Sequence, residues 1–132
     1  MTCSILARDP TTGALGAAVA TRFFAVGAIC IHVEGGVGAL ATQALINPMY
    51  AVHGMPRLRL GEPPAHLSAA LLAADAGREH RQLHILDAQG RISQFTGSAC
   101  ITWAGRPSRI PEAVAVSLNA LKPTKDQSNR IE

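Results

Sequence analysis

Short apolar runs alternate with tight turns over the first 43 residues, and this spacing restricts the fold more than any other feature of the chain. The runs are five to eight residues long, as strands usually are, and they lie at 3–8, 14–21, 28–33 and 39–43. Glycine or proline stands in the links at 9–13 and 34–38, as turns require. Links this short exclude helical crossovers, so consecutive strands pair antiparallel. We predict a hairpin over residues 3–21, with its small residues buried on both faces between two layers.

Helical signals follow this strand-rich region. Asn47 and Pro48 are typical of a helix start, and we predict a helix from there to about Gly54. The alanine- and leucine-rich segment 65–74 gives the strongest helix signal, because both residue types favour helices. Further strands are predicted at 80–87, 91–96 and 99–103. Strands and helices that are segregated in this way are typical of an α+β domain.

The C-terminal part of the chain carries weaker signals. Prolines punctuate a segment at 112–121 in which we predict a short helix, and we expect residues 122–132 to form a solvated tail. A chain of 132 residues with 48% hydrophobic content has enough apolar material for one core. We therefore assign residues 1–121 to a single domain.

The charge and hydropathy of the chain exclude several classes of partner. The net charge is +3, with no basic stripe and only 4% aromatic residues, so we expect no nucleic-acid binding. No apolar run reaches the roughly 18–20 residues of a membrane span, and the N-terminus lacks a signal-peptide pattern. We therefore expect a cytoplasmic protein without membrane contact.

The cysteines and histidines do not form a disulfide or metal-ligand pattern. Cys3, Cys30 and Cys100 are odd in number and widely spaced, which is typical of reduced thiols. His80 and His84 would share one face of a helix, but their segment predicts a strand. We therefore expect neither a metal site nor a cofactor.

Seven motifs in a fixed order resemble a known family: SILARDP at 4–10, GAAVATRF at 16–23, GVGALATQA at 36–44, NP at 47–48, GREHRQL at 77–83, FTG at 95–97 and CITWAG at 100–105. Over residues 2–105 the chain resembles the uncharacterised bacterial family of Ntn-hydrolase-like proteins known as domain of unknown function 1028. This resemblance implies an αββα sandwich, in which two antiparallel sheets lie between helical layers. It also implies an amide hydrolase whose nucleophile is the N-terminal residue of the mature chain. After Gly105 the sequence departs from the family pattern and is shorter, so we expect an incomplete sandwich.

Thr2 is the candidate nucleophile that the resemblance implies. It follows Met1 and is small enough for the initiator methionine to be removed, which would leave a free N-terminal threonine. Its own α-amine, with an ordinary pKa of about 7.7–8.0, can then accept the hydroxyl proton. Threonine at this position is also common in proteins without such chemistry. Cys3 is a rival nucleophile, but it would need a second cleavage, and we interpret it as a core residue.

Six further residues are candidates for substrate binding: Thr21, Arg22, Gly36, Thr42, Gln43 and Asn47. Arg22 follows the second predicted strand beside Thr21; it can bind a substrate carboxylate, or simply lie exposed at a strand end. Gly36 lies in a glycine-rich turn whose N–H groups can face an oxyanion, although a tight hairpin needs the same glycines. Thr42, Gln43 and Asn47 follow an apolar strand and can line a pocket. Asn47 equally suits a helix N-cap.

Two functions from different classes therefore stay open. The first is an N-terminal-nucleophile hydrolase of a small or peptide-like amide. The second is a non-catalytic domain for ligand binding or assembly, favoured by the shortened C-terminus and by the absence of lysine before Lys122. Two helices cannot cover both sheets of so apolar a chain, so we also predict a homo-oligomer, with the helix at 65–74 as a candidate contact.

Overall fold

The computed structural model describes residues 2–100, 103–105 and 114–120, which form eight strands and three α-helices. The strands are β1 (Thr2–Arg8), β2 (Leu15–Thr21), β3 (Ile31–Glu34), β4 (Gly38–Ala44), β5 (Arg81–Asp87), β6 (Ile92–Thr96), β7 (Trp103–Gly105) and β8 (Val114–Ala120). The helices are α1 (Gly27–Cys30), α2 (Met49–Arg59) and α3 (Pro64–Ala73), and a 3₁₀ turn at Arg78–His80 precedes β5. None of the helices in this part of the chain is long and apolar enough to cross a membrane.

The described strands form two antiparallel sheets of four strands each. The first sheet has the order β2-β1-β8-β7 and the second has the order β3-β4-β5-β6. The predicted hairpin is confirmed, since β1 pairs with β2 and places Thr2 opposite Thr21. Its turn is held by the Asp9 carboxylate, which accepts the Thr11 N–H at 2.7 Å, and by Gly13 with a φ of +74°.

The two sheets face each other, and α2 and α3 cover the other face of the second sheet. Between the sheets lies a buried cluster of Leu6, Ala39, Ala41 and Leu86. Under the helices lies a second cluster: Leu40, Tyr50, Ala51, Leu58, Leu67, Leu71, Leu83 and Ile85. Neighbouring residues of β4 and β5 alternate between these clusters, as the pleat of a strand requires. Because each buried leucine contributes roughly 1.5–3 kcal/mol, both layers are needed for stability.

The face of β1 and β2 that points away from the second sheet is exposed to solvent. Ala18 and Ala20 on β2 are exposed, and Ile5 on β1 is 38% exposed. The expectation that both faces of the hairpin are buried is therefore wrong for this outer face. Cys3 lies next to the inward-facing Ser4 on β1, so its side chain is on the outer face, opposite Ala20. It is only partly buried, and the interpretation of Cys3 as a core residue is therefore wrong.

The strand predicted at 28–33 is shorter than expected. Residues 28–30 belong to α1, in which the Cys30 N–H donates to the Val26 carbonyl at 2.9 Å, and β3 begins at Ile31. Cys30 is fully buried, and this burial raises the pKa of its thiol to about 11. One helical turn places Cys30 in the core, so tertiary packing overrides the local preference for a strand.

The helix that follows Asn47 is longer than expected. α2 does not end at Gly54 but continues through Pro56 to Arg59. A Cβ atom at Gly54 would lie 3.0 Å from Leu40 Cδ1. The glycine therefore allows α2 to lie close against β4 rather than ending the helix.

Residues 114–120 form a strand, so the helix predicted at 112–121 is wrong over these residues. β8 lies between β1 and β7 and pairs antiparallel with both, with Ser117 opposite Ser4. The helix preference of alanine and leucine is weak compared with strand pairing along most of β8 on the β1 side and over three residues on the β7 side. In the segment predicted as strand at 99–103, residues 99 and 100 lie in a turn and β7 begins at Trp103. The predicted tail at 122–132 lies outside the described residues.

Candidate functional site

Thr2 and Thr21 form a hydroxyl pair at one end of the first sheet. They are opposite each other in the hairpin, and their Oγ1 atoms are 3.0 Å apart. Both residues are partly exposed, so the pair lies where the space between the sheets meets solvent. β1 pairs with β2 on one side and with β8 on the other, and this double pairing fixes the position of Thr2.

A row of hydroxyl and amide groups leads from this pair into the interior. Gln43 Nε2 donates to the Thr2 carbonyl at 3.4 Å and to Gln82 Oε1 at 2.9 Å. The Ser4 hydroxyl donates to Gln43 Oε1 at 2.7 Å. Gln82 Nε2 in turn donates to Thr96 Oγ1 at 3.1 Å. Because the bonds use distinct donors and acceptors, they fix the orientation of both amides.

This polar row connects the two sheets. Ser4 lies on β1, whereas Gln43 and Gln82 are opposite each other on β4 and β5. All three side chains are almost completely buried. Replacing a buried hydrogen-bonded pair by apolar groups of the same shape is often neutral or stabilising. The row is therefore not explained by stability alone, and we interpret it as the inner wall of a functional site.

His84 extends the polar layer beyond Gln82. It lies two residues along β5, on the same face, opposite Ala41 on β4 and Gln94 on β6. It is 2% exposed, and neither of its ring nitrogens has a hydrogen-bond partner among the described residues. Burial lowers the pKa of His84 to about 4, so the imidazole is neutral at neutral pH.

A second polar cluster supports the same end of the structure from the helix side. Asp75 accepts hydrogen bonds from Arg81 Nε at 2.5 Å, from the Tyr50 hydroxyl at 2.6 Å and from Asn47 Nδ2 at 3.2 Å. Burial opposes the charge of Asp75, but these donors outweigh it and hold the pKa of the carboxyl well below its usual value. Arg81 Nη1 also donates to the Leu45 carbonyl at 2.7 Å. The cluster thus anchors the loop after β4, and we interpret it as structural.

Comparison with known proteins identifies the family. The model of the family of unknown function DUF1028 matches residues 2–125. The chain belongs to DUF1028. A solved structure of the same family, the crystal structure of protein SPO2555 from Silicibacter pomeroyi, is similar to this chain with 32% sequence identity and a TM-score of 0.80. The similarity covers 88% of this chain and 51% of that one, so the chain spans about half the length of its solved relative. None of the curated proteins matches the chain.

In this member of DUF1028, three of the predicted binding residues lie at the same end as Thr2. Thr21 bonds to the Thr2 hydroxyl, and Gln43 bonds to the Thr2 carbonyl. Arg22 directly follows Thr21 and is exposed. No hydrogen bond or ion pair connects Arg22 to another residue in the part of the chain that the structure describes. Its guanidinium is therefore available to a ligand.

The other three predicted residues lie elsewhere. Gly36, with a φ of +74°, lies in the turn between β3 and β4, at the opposite end of the sheet from Gln43. Thr42 is buried on the helix side of β4, where its Oγ1 accepts the Asn47 N–H at 3.3 Å. Asn47 Oδ1 accepts the Met49 N–H at 3.1 Å, as a residue at a helix start does. These residues hold the fold around the site and do not face Thr2.

Four members of the polar interior were not selected from the sequence: Ser4, Gln82, His84 and Thr96. A signal for Ser4 exists, since it lies two residues after Thr2 on the same strand and so shares its face. Gln82 and His84 interrupt an apolar run at alternate positions, which indicates one polar stripe. No local signal shows that this stripe meets Gln43, because that contact depends on the pairing of β4 with β5.

The site offers hydroxyl and amide groups rather than metal ligands. The described residues contain no group of three or more His, Cys, Asp or Glu side chains that could hold a metal ion. His80 lies in the 3₁₀ turn and His84 lies inside β5, so the two do not share a helix face. Hydroxyl and amide groups suit the binding of an amide by hydrogen bonds and its attack by a hydroxyl.

Proposed function

We propose that this DUF1028 protein is an amide hydrolase of the N-terminal-nucleophile type, with Thr2 as the nucleophile after removal of Met1. The observation that carries the proposal is the Thr2 hydroxyl at the mouth of the space between the sheets, 3.0 Å from Thr21 Oγ1. Two facing antiparallel sheets, with α2 and α3 packed on one of them, provide three of the four layers of an αββα sandwich of the Ntn-hydrolase kind and so support that fold. That fold assignment is part of the proposal.

The reaction follows from the chemistry of an N-terminal threonine. The α-amine takes the hydroxyl proton, directly or through one water, while Thr2 Oγ1 attacks the carbonyl carbon of the amide. The C–N bond then breaks, and the proton passes from the α-amine to the leaving amine. Water attacks the resulting ester on Thr2, which releases the carboxylic acid and returns a proton to Oγ1. One amide and one water thus give one acid and one amine.

Thr21 and Gln43 act in this proposal as positioning residues. The Thr21 hydroxyl shares a hydrogen bond with the nucleophile, and Gln43 restrains the Thr2 carbonyl. Fixing a nucleophile in this way lowers the entropic part of the barrier. The base is an amine with an ordinary pKa of about 7.7–8.0, so turnover is expected to rise with pH through this range.

Intact mass and three variants test the proposal. We expect the active protein to lack Met1, Thr2→Ala to lose turnover in a screen of small N-acyl amides, and Thr2→Ser to keep part of it. Thr11→Ala, in the exposed turn after β1, is the matched control and should behave as the wild type. Met1 retained in an active preparation, or wild-type turnover by Thr2→Ala, would refute the proposal.

A non-catalytic binding domain is the second candidate, and one observation favours it. Among the described residues, the side chain that bonds to the Thr2 hydroxyl is a second neutral hydroxyl, and no lysine is present there to keep the α-amine of Thr2 deprotonated. The same site would then bind an amide-containing ligand without cleaving it. Ligand binding that survives Thr2→Ala, together with no amide turnover by the wild type, would support this function over the first.

A further inference from the structure

Two loops leave the Thr2 site, one from each sheet, and both begin at or near residues of the site. The loop after β2 starts at Thr21, whose Oγ1 accepts the Phe23 N–H at 3.3 Å. The loop after β4 starts at Leu45, two residues after Gln43, and the Leu45 N–H donates to the His80 carbonyl at 3.0 Å. The two loops therefore flank the opening at Thr2.

Large apolar side chains are exposed on both loops. Phe23 is 62% exposed, Phe24 is 93% exposed and Leu45 is 60% exposed. The chain has only three phenylalanines, so most of them lie in this one loop. Clustered exposed apolar side chains beside a polar site are typical of ligand binding, because they gain free energy when a ligand covers them. We call Phe23, Phe24 and Leu45 the apolar rim.

Two residues next to the apolar rim have an unfavourable backbone conformation. Ala25, in the loop after β2, has a φ of +54°, and Ala44, the last residue of β4, has a φ of +67°. No other non-glycine residue in the described part of the chain has a positive φ. This conformation costs a residue with a Cβ atom roughly 1–2 kcal/mol. Such cost is typically retained where a loop must present its side chains in one arrangement. Both strained alanines thus lie beside the apolar rim.

Arg22 adds a free positive charge to this rim. The structure describes seven arginines, and six of them donate to a carboxylate or a carbonyl: Arg8, Arg57, Arg59, Arg78, Arg81 and Arg91. Within the same described residues Arg22 alone has no such partner, although it lies between Thr21 and Phe23. A guanidinium in this state suits a ligand carboxylate, which it can bind through two parallel N–H bonds.

We propose that the site takes N-acylated amino acids with an apolar side chain and a free carboxylate. This inference rests on the proposed function, because the bond that reacts is the amide that Thr2 attacks. Arg22 binds the carboxylate, the apolar rim covers the side chain, and the acyl carbonyl lies at Thr2. Hydrolysis of the N-acyl bond releases the carboxylic acid of the acyl group and the free amino acid.

Calorimetric binding to the Thr2→Ala protein separates recognition from turnover. N-acetyl-L-phenylalanine carries both recognition groups, N-acetyl-L-phenylalaninamide lacks the carboxylate, and N-acetylglycine lacks the apolar side chain. We expect the first probe to bind about tenfold more tightly than either of the others, a difference of about 1.4 kcal/mol.

Two variants in the same background assign the preferences to residues. Arg22→Gln should abolish the preference for the free carboxylate over the amide, and Phe24→Ala should abolish the preference for phenylalanine over glycine. The matched controls are Arg59→Gln and Leu60→Ala. They change an exposed arginine and an 88% exposed leucine at the other end of α2, and should leave both preferences unchanged.

Equal binding of the three probes, or no binding of any at millimolar concentration, would overturn the inference. A dimer that Phe24→Ala dissociates would also overturn it, because the apolar rim would then be an interface between copies of the chain. If both preferences are present but the wild type cleaves none of the probes, the ligand class stands and the hydrolase proposal fails. If the wild type cleaves other amides in a Thr2-dependent way but shows neither preference, the hydrolase proposal stands and the ligand class is wrong.

Discussion

Replacement of Gln43 by leucine tests the buried polar row directly. Gln43 is fully buried, accepts from Ser4 at 2.7 Å and donates to Gln82 at 2.9 Å. Gln43→Leu fills a similar volume but leaves the buried Ser4 hydroxyl without its acceptor and removes the bond to Gln82 Oε1. An unpaired buried group costs about 1–3 kcal/mol, so the loss at Ser4 alone should lower the free energy of unfolding by about 1–3 kcal/mol. An ordinary domain has a stability of about 5–15 kcal/mol, so a loss of this size is measurable.

Urea denaturation followed by far-ultraviolet circular dichroism measures this change, and a double-mutant cycle assigns it. In Gln43→Leu combined with Gln82→Leu, both partners of the 2.9 Å bond are apolar. The double variant should therefore be less destabilised than the sum of the single variants, by about 1–2 kcal/mol. Gln89→Leu, in the exposed turn after β5, is the matched control and should change stability by less than about 0.5 kcal/mol.

Two results would refute this reasoning. If Gln43→Leu is within about 0.5 kcal/mol of the wild type, then the row is not a network of desolvated hydrogen bonds. If the single changes are additive, Gln43 and Gln82 do not interact in solution.

Three further predictions concern pH, packing and assembly. The pKa of His84 is lowered from 6.5 to about 4 in the folded chain, so the unfolded chain binds a proton at this imidazole more readily. The free energy of unfolding should therefore fall as the pH drops from 6.5 to 4, by up to about 3 kcal/mol. Urea titrations at several pH values should show this fall, and His84→Leu should flatten it; an unchanged slope in that variant would contradict the assignment. Gly97→Ala should lower the melting temperature in differential scanning fluorimetry, because the added Cβ would overlap the Glu79 backbone at a cost of roughly 1–3 kcal/mol. Gly16→Ala places its Cβ in open space and should leave the melting temperature unchanged. The wild type should be a homo-oligomer by light scattering at micromolar concentration, through the exposed face of β1 and β2 or through α3. A monodisperse species near 13.8 kDa would contradict this.

The elements with strong local signals were predictable from the sequence. The hairpin over 3–21, the glycine turn at 34–38, the helix at 65–74 and the hairpin of β5 and β6 are all confirmed, within two residues at their ends. Each depends on interactions between residues close in sequence: turn residues, strand alternation or helix preference. The Thr2–Thr21 pair belongs to this group, because any hairpin over these residues brings its two ends together.

The elements that were mispredicted depend on distant contacts. Residues 28–30 are helical because Cys30 is buried in the core, and α2 passes Gly54 because that glycine allows contact with Leu40. Residues 114–120 form a strand because β1 and β7 provide hydrogen-bonding partners on both sides. In each case the local preference is a few tenths of a kcal/mol per residue, which packing exceeds.

The same distinction between local and distant interactions applies to the candidate site. Strand alternation acts over two residues, so the order of residues is enough to put Thr2 on the same face as Ser4, and Gln82 on the same face as His84. That these faces meet depends on contacts between distant parts of the chain. Ser4 and Gln43 are 39 positions apart, and their contact exists because two whole sheets pack face to face. Gln43 and Gln82 are also 39 positions apart, and their contact exists because β4 pairs with β5. The exposure of the apolar rim also depends on tertiary structure, because a phenylalanine is buried only where other parts of the chain pack against it.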